Sequence, residues 1–69
     1  MGQECEHIRR AIDYHGSQQN LAEVIECSQA SISLWLHRKR RPNPLHAKRI
    51  QISTGGLVKA KALQPEVFD

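Results

Sequence analysis

Four consecutive cations, Arg38, Lys39, Arg40 and Arg41, stand just beyond a glutamine, Gln29, and no acid lies between them. A run of Arg and Lys has one broad chemistry: it neutralises a polyanion, and each neutralised phosphate releases a condensed counterion. Glutamine offers something different, an amide that donates and accepts in one plane and can pair bidentately with adenine N6 and N7. The charge pattern around these residues is lopsided. Residues 1–26 carry Arg9 and Arg10 against Glu4, Glu6, Asp13, Glu23 and Glu26, a balance of -3. Residues 27–65 carry Arg38, Lys39, Arg40, Arg41, Lys48, Arg49, Lys59 and Lys61 with no acid, a balance of +8, and Glu66 and Asp69 return the total to +3. Such segregation in a chain of pI about 9.2 is the footprint of a polyanion binder. Between the two polyanions a cell offers, the pattern favours nucleic acid over membrane. Pro42-Asn43-Pro44 follows the cations, so they lie in a loop and not on an amphipathic helix with an aromatic face. A solvated loop of no special purpose is the alternative.

Other chemistries find little here. Catalysis would need a Gly-rich phosphate loop, a metal set or an oriented nucleophile, and Asp13 is the one interior acid available to orient a histidine. No enzyme activity and no small-molecule substrate are expected. Cys5, His7, Cys27 and His37 lack the paired spacing of a zinc site, so neither metal nor cofactor is expected. Cys5 and Cys27 each stand where a helical pattern wants an apolar residue and read as reduced core residues. No apolar run approaches a membrane span or a signal-peptide core, and Glu6 stands where a myristoylation signal wants Ser or Thr. The expected setting is the cytoplasm, with no membrane partner.

Sixty-nine residues with 39% hydrophobic and 25% charged side chains make one small domain spanning residues 1–69. The elements that must hold the cations and Gln29 are helices, since nothing of useful length alternates like a strand. Cys5, Ile8, Ala11 and Ile12 recur at helical spacing and predict a first helix over about 3–15, with Gly16 beyond its end. Ser17 caps a second, over about 17–25, with Leu21, Ala22, Val24 and Ile25 as its apolar face. Ser28 caps a third that turns Ile32, Trp35 and Leu36 inward and ends near His37. Asn43 caps a fourth with Pro44 in its first position and Ile50 buried, stopped by Thr54-Gly55-Gly56. Val58, Leu63 and Phe68 anchor the remainder around Pro65, with one more helical turn. The class is all-α, a compact bundle of four to five short helices.

Two short helices joined by two or three residues must cross steeply over one apolar nucleus, which is helix-turn-helix geometry, here over about 17–37. The stretch from Gln18 to His37, with Leu21, Ala22, Ile25, Cys27, Ile32 and Trp35 in its apolar positions, resembles the helix-turn-helix of the phage repressor and Cro group, within the lambda-repressor-like superfamily. Together with the Arg-Arg-Pro loop, Ile50, Thr54-Gly55-Gly56, Val58, Leu63, Pro65 and Val67-Phe68, it resembles the compact regulators related to YdaS and DicC over nearly the whole chain. Two departures stand out. Glu26 occupies the turn where many relatives carry Gly, and Gln64 precedes Pro65 where they often carry Arg. Ala22 is small because helices crossing here approach closely.

The resemblance implies a repressor of a phage or prophage control region that occludes a promoter; an antitoxin-like regulator that also binds a protein is the alternative. With Ile32, Trp35 and Leu36 inward, Gln29, Ala30, Ser33, Leu34 and His37 face outward on the helix that this motif places in the major groove. These are the expected base readers, Leu34 by contact with a thymine methyl unless the helix rolls and tucks it under the fourth. Gln18, Gln19, Ser28, Arg38, Lys39, Arg40 and Arg41 are the expected phosphate contacts, with Ser28 also a cap and Lys48 and Arg49 as further candidates. One domain reads about four to six base pairs, so a homodimer, at least on DNA, over a pseudo-palindromic double-stranded operator is expected. Residues 57–69, with Leu57, Val58, Val67 and Phe68, are the candidate dimer surface.

Overall fold

Three helices begin at a side chain that accepts a backbone proton. The computed structural model describes residues 4–63 and forms α1 (Glu6–His15), α2 (Gln18–Ile25), α3 (Gln29–Leu36), α4 (Pro44–Ser53) and α5 (Ala60–Leu63). Ser17 Oγ accepts the Asn20 N–H at 3.1 Å, Ser28 Oγ accepts the Ser31 N–H at 3.1 Å, and Asn43 Oδ1 accepts the His46 N–H at 2.8 Å. Each bond satisfies a donor that the helix itself leaves orphaned. Pro44 follows its cap in the first turn, where a missing N–H costs nothing. α1 starts differently. Cys5 is extended and makes no side-chain cap; its backbone N–H donates to the Leu36 carbonyl at 2.7 Å, tying the start of α1 to the end of α3.

The helices are arranged around α2, which packs against α1, α3 and α4, while α1 also meets α3 and α4 carries α5. Ile8, Ala11 and Ile12 of α1, Leu21, Ala22 and Ile25 of α2, Ile32, Trp35 and Leu36 of α3 and Ala47 and Ile50 of α4 form one core, closed by Val58, Ala60 and Leu63. Burying a side chain the size of Ile or Leu contributes about 1.5–3 kcal/mol, so this single cluster carries the stability of the domain. Among the described residues there is no strand, and no helix is long and apolar enough to cross a membrane. The all-α bundle matches the expectation from the sequence.

Several details differ. Val24 is 50% exposed and does not belong to the inward face of α2. Successive helical residues are turned by about 100°, so Leu21, Ala22 and Ile25 fill one stripe and Val24 falls about 100° from its centre. Val58 is 1% exposed and packs in the core, which removes it from any dimer surface, whereas its neighbour Leu57 is exposed. Val67 and Phe68, the other two residues read as dimer contacts, lie outside the described residues, as do Gln64 and Pro65. Cys5 and Cys27 are free thiols packed against the core while only half buried. α1 begins at Glu6 because Cys5 is already extended.

Thr54 explains how the chain turns from α4 into the rest. It is 3% exposed, and its hydroxyl donates to the Ile50 carbonyl at 2.8 Å while accepting the Val58 N–H at 3.2 Å. The next residue, Gly55, has φ +63°, and the Gly55 and Gly56 N–H groups return to the carbonyls of Ile52 and Gln51. This is a Schellman closure, which glycine makes without strain. Gln51 Oε1 then accepts the Ala60 N–H at 2.8 Å, so α5 starts against α4.

Two substitutions test these turns by urea denaturation. Thr54→Val keeps the shape but strands the buried Val58 N–H, and should cost about 1–3 kcal/mol. Glu26→Gly relieves a left-handed backbone at φ 60° and should raise stability by about 0.5–1 kcal/mol, the strain removed being partly offset by unfolded-chain entropy. A destabilising Glu26→Gly would show that the Glu26 side chain supports the turn.

Candidate nucleic-acid interface

The turn before α3 fixes how that helix is presented. Glu26 is left-handed, and the Glu26 and Cys27 N–H groups both donate to the Ala22 carbonyl. The chain therefore passes from α2 to α3 within three residues, from Glu26 to Ser28, and α3 starts at the Ser28 cap. Arg49 of α4 adds a guanidinium at the same corner, its Nη1 donating to the Ile25 carbonyl at 3.1 Å. Arg49, a further phosphate candidate from sequence, is thus engaged in capping the carboxyl end of α2, where a cation is favoured by the helix dipole. Lys48 is exposed.

With Ile32, Trp35 and Leu36 buried, α3 turns the expected readers to the other side. Gln29, Ala30 and His37 are exposed, Ser33 is half buried, and Leu34 is 37% exposed and not tucked beneath α4. Gln29 and Ser33 follow each other one turn apart, and Ala30 and Leu34 form the adjacent row. Gln19 is exposed and Gln18 half buried in the first turn of α2, where N–H groups project along the helix axis. Ser28 is exposed, but its Oγ is already engaged with the Ser31 N–H and lies 3.0 Å from Ser31 Oγ.

The four cations leave α3 through a tight closure. Arg38 has φ 61°, and the N–H groups of Arg38 and Lys39 return to the carbonyls of Trp35 and Leu34 at 3.2 and 2.8 Å, with the Arg40 N–H sharing the Leu34 carbonyl at 3.3 Å. This is the same Schellman pattern as after α4, here built on a non-glycine residue. It brings Arg38, Lys39, Arg40 and Arg41, all exposed, around the carboxyl end of α3, where the helix dipole favours positive charge. Pro42, buried, ends the loop before the Asn43 cap.

Between α3 and the start of α4 lies a groove lined by Ser31, Leu34, Trp35, Arg40, Arg41, Asn43 and His46. The His46 ring packs on Trp35 with centroids 5.4 Å apart and planes tilted by 45°. His46 is absent from the residues expected from sequence. A signal for it exists, because Asn43 and Pro44 fix the helix start and so place His46 in the first turn. An ion-paired acid stands near the same end of α3, since Cys5, the residue after Glu4, donates its N–H to the Leu36 carbonyl and His37 acts on the Glu4 carboxyl. Glu4 pairs with Arg9 at 3.0 Å, and Arg9 also reaches Asp13 at 3.8 Å along α1. The hydrogen bond from Arg9 holds the Glu4 carboxyl below the usual carboxylate range. Burial pushes the Cys27 thiol up, which leaves it a poor nucleophile. Among the described residues no group of three or more His, Cys, Asp or Glu side chains is placed to hold a metal ion.

A family model described as bacterial toxin YdaS matches residues 8–69. The chain belongs to the YdaS family. No curated protein and no solved structure matches it. The matched region of this YdaS-family chain takes in all of α2, α3, α4 and α5, and so the turn, the outward face of α3 and the cationic closure together.

Arg38→Gly separates the geometry of that closure from its charge. It should raise stability in urea by about 0.5–1 kcal/mol, since the left-handed strain goes. It should also weaken binding to any duplex DNA and flatten the salt dependence by about 0.9 in log–log slope if Arg38 contacts one phosphate. Unchanged stability would show that the loop already accommodates Arg38 without strain.

Proposed function

We propose that this YdaS-family protein binds double-stranded DNA in a sequence-specific way, with α3 in the major groove. The single observation that supports this best is one continuous arrangement: α3 presents Gln29, Ala30, Ser33, Leu34 and His37 on its outward side, and the chain leaving that helix carries four exposed cations. Phosphate contacts from Arg38, Lys39, Arg40 and Arg41, with Gln18 and Gln19 at the start of α2, set position and orientation without reading sequence. Gln29 reads adenine, and the exposed Leu34 reads a thymine methyl group, giving a preference for A·T pairs. Two copies bind a pseudo-palindrome with half-sites about 34 Å apart. The biological act is Cro-like repression of a phage or prophage control region by occlusion of a promoter, in the bacterial cytoplasm. No catalytic step, cofactor or small-molecule substrate enters.

The family description supplies a second reading. It speaks of a bacterial toxin, and a regulator tied to such a system would bind a protein partner as well as DNA, in the manner of an antitoxin. The same cationic face would then meet an acidic surface.

Selection of bound duplexes from a random library, followed by titration at two salt concentrations, separates the readings. A short palindrome should be enriched. Gln29→Ala should relax one base position at a cost of about 1–3 kcal/mol, and Arg40→Ala should weaken all sequences alike and reduce the salt slope by about one. If no sequence is enriched and affinity follows salt alone, the protein-directed reading takes over.

A further inference from the structure

A second groove shares Trp35, Arg40 and Arg41 with the one beside α4 and extends to the start of α1 and to α5. Its volume is about 460 Å³. Its apolar lining comes from distant parts of the chain: Ile8 of α1, Trp35 of α3, Pro42 of the loop and Leu63 of α5. Its cations are Arg38, Arg40 and Arg41. Glu4 and Glu6, beside the lining residues Cys5 and His7, are exposed and do not line it, and Glu4 is paired with Arg9. A lining of this kind suits an occupant that is apolar and acidic at once, since buried charge needs a partner of opposite sign.

The chain carries a segment of that composition at the edge of the groove. Leu63, a lining residue, is followed by Gln64, Pro65, Glu66, Val67, Phe68 and Asp69, which lie outside the described residues. Residues 27–65 contain no acid, so Glu66 and Asp69 are the first acids after Glu26. They flank Val67 and Phe68, the one phenylalanine of the chain. Six residues reach at most about 20 Å, and because this segment leaves from the lining itself, that whole reach is available to cross the groove. We propose that the groove seats residues 64–69 of the same chain, with Glu66 and Asp69 against the arginines and Phe68 on the apolar lining, and that the segment thereby competes with DNA for Arg38 and Arg40. The competition rests on the DNA-binding reading; the seat does not.

A helix of a second copy fits less well. Two turns of helix, about 10 Å across and 11 Å long, fill roughly 850 Å³, which exceeds the groove. Tethering also favours the chain's own segment, because a short link holds it at an effective concentration of about millimolar, above that of a dilute free partner. Carboxylate and phosphate both accept from a guanidinium fork, so the segment and a DNA strand want the same donors. A strand must displace the segment before Arg38 and Arg40 can position it. Apparent affinity is then reduced by the fraction of molecules whose groove is open. If the segment fills the groove in about two-thirds to nine-tenths of molecules, releasing it tightens binding about three- to tenfold.

Nuclear Overhauser contacts in the isotope-labelled full chain test the seat without any substitution. Phe68 ring protons should show contacts to the Trp35 ring or the Ile8 methyl groups within one molecule. Their absence overturns the proposal, and so do contacts found only between labelled and unlabelled chains in a mixed sample, which would put a second copy in the groove. Titration of a mixed-sequence duplex tests the competition, using Phe68→Ala, which leaves charge unchanged, and the double variant Glu66→Gln with Asp69→Asn. Both proteins should bind about three- to tenfold more tightly than the unaltered chain. Emission of Trp35, the one tryptophan, verifies that each variant is folded. A gain confined to the charge variant would be a general electrostatic effect and would overturn the competition, as would no gain from either. Failure of every variant to bind any duplex would overturn the DNA-binding reading, and the Phe68 contacts alone would then decide for or against the seat.

Discussion

The carboxyl end of α2 is the point on which the rest of the molecule depends. There the Ala22 carbonyl accepts two backbone protons, the chain passes through a left-handed residue, and the Ile25 carbonyl receives a guanidinium from α4. The first two bonds fix where α3 departs and the third fixes where α4 lies against α2. Ala22 is 5% exposed at this corner, and a larger side chain would separate helices that must stay close. The direction in which α3 departs is thus set by backbone geometry at this corner, while Ile32, Trp35 and Leu36 set which side it shows to the outside.

That division lets the chain keep stability and charge apart. Arg9 of α1 pairs with Glu4, just before the helix, and with Asp13, one turn along it. The cations gather where α3 ends, next to carbonyl groups whose dipoles favour them. Arg49 shows that a cation within the basic half can be structural, and exposure is what separates it from Arg38, Lys39 and Arg40.

Helix positions were legible in the sequence because caps and stops are local chemistry. Ser17, Ser28, Asn43-Pro44 and Thr54-Gly55-Gly56 act within one turn of where they stand, and the helices begin and end at them. The inward side of α3 was legible for the same reason, as three apolar residues at helical spacing define it. Val24 was misread because apolar type alone does not settle which of four neighbouring residues falls outside the stripe. Long-range bonds left no local trace. Nothing near Arg49 points to the Ile25 carbonyl, and nothing near Gln51 points to the N–H of Ala60. The pairing of His46 with Trp35 belongs to this class too, since it joins residues on different helices.

The bond from the Cys5 N–H to the Leu36 carbonyl has a meaning for how such a chain can vary over generations. It spans the molecule from its first described turn to the end of α3, yet it is made entirely of main-chain atoms. Drift in the side chain at position 5 leaves its donor in place, and the thiol found there is one occupant among those a half-buried site would admit. Proline is the exception, because it alone lacks the hydrogen. Packing against the core limits which side chains this position takes, while the main-chain bond itself closes it to one residue alone.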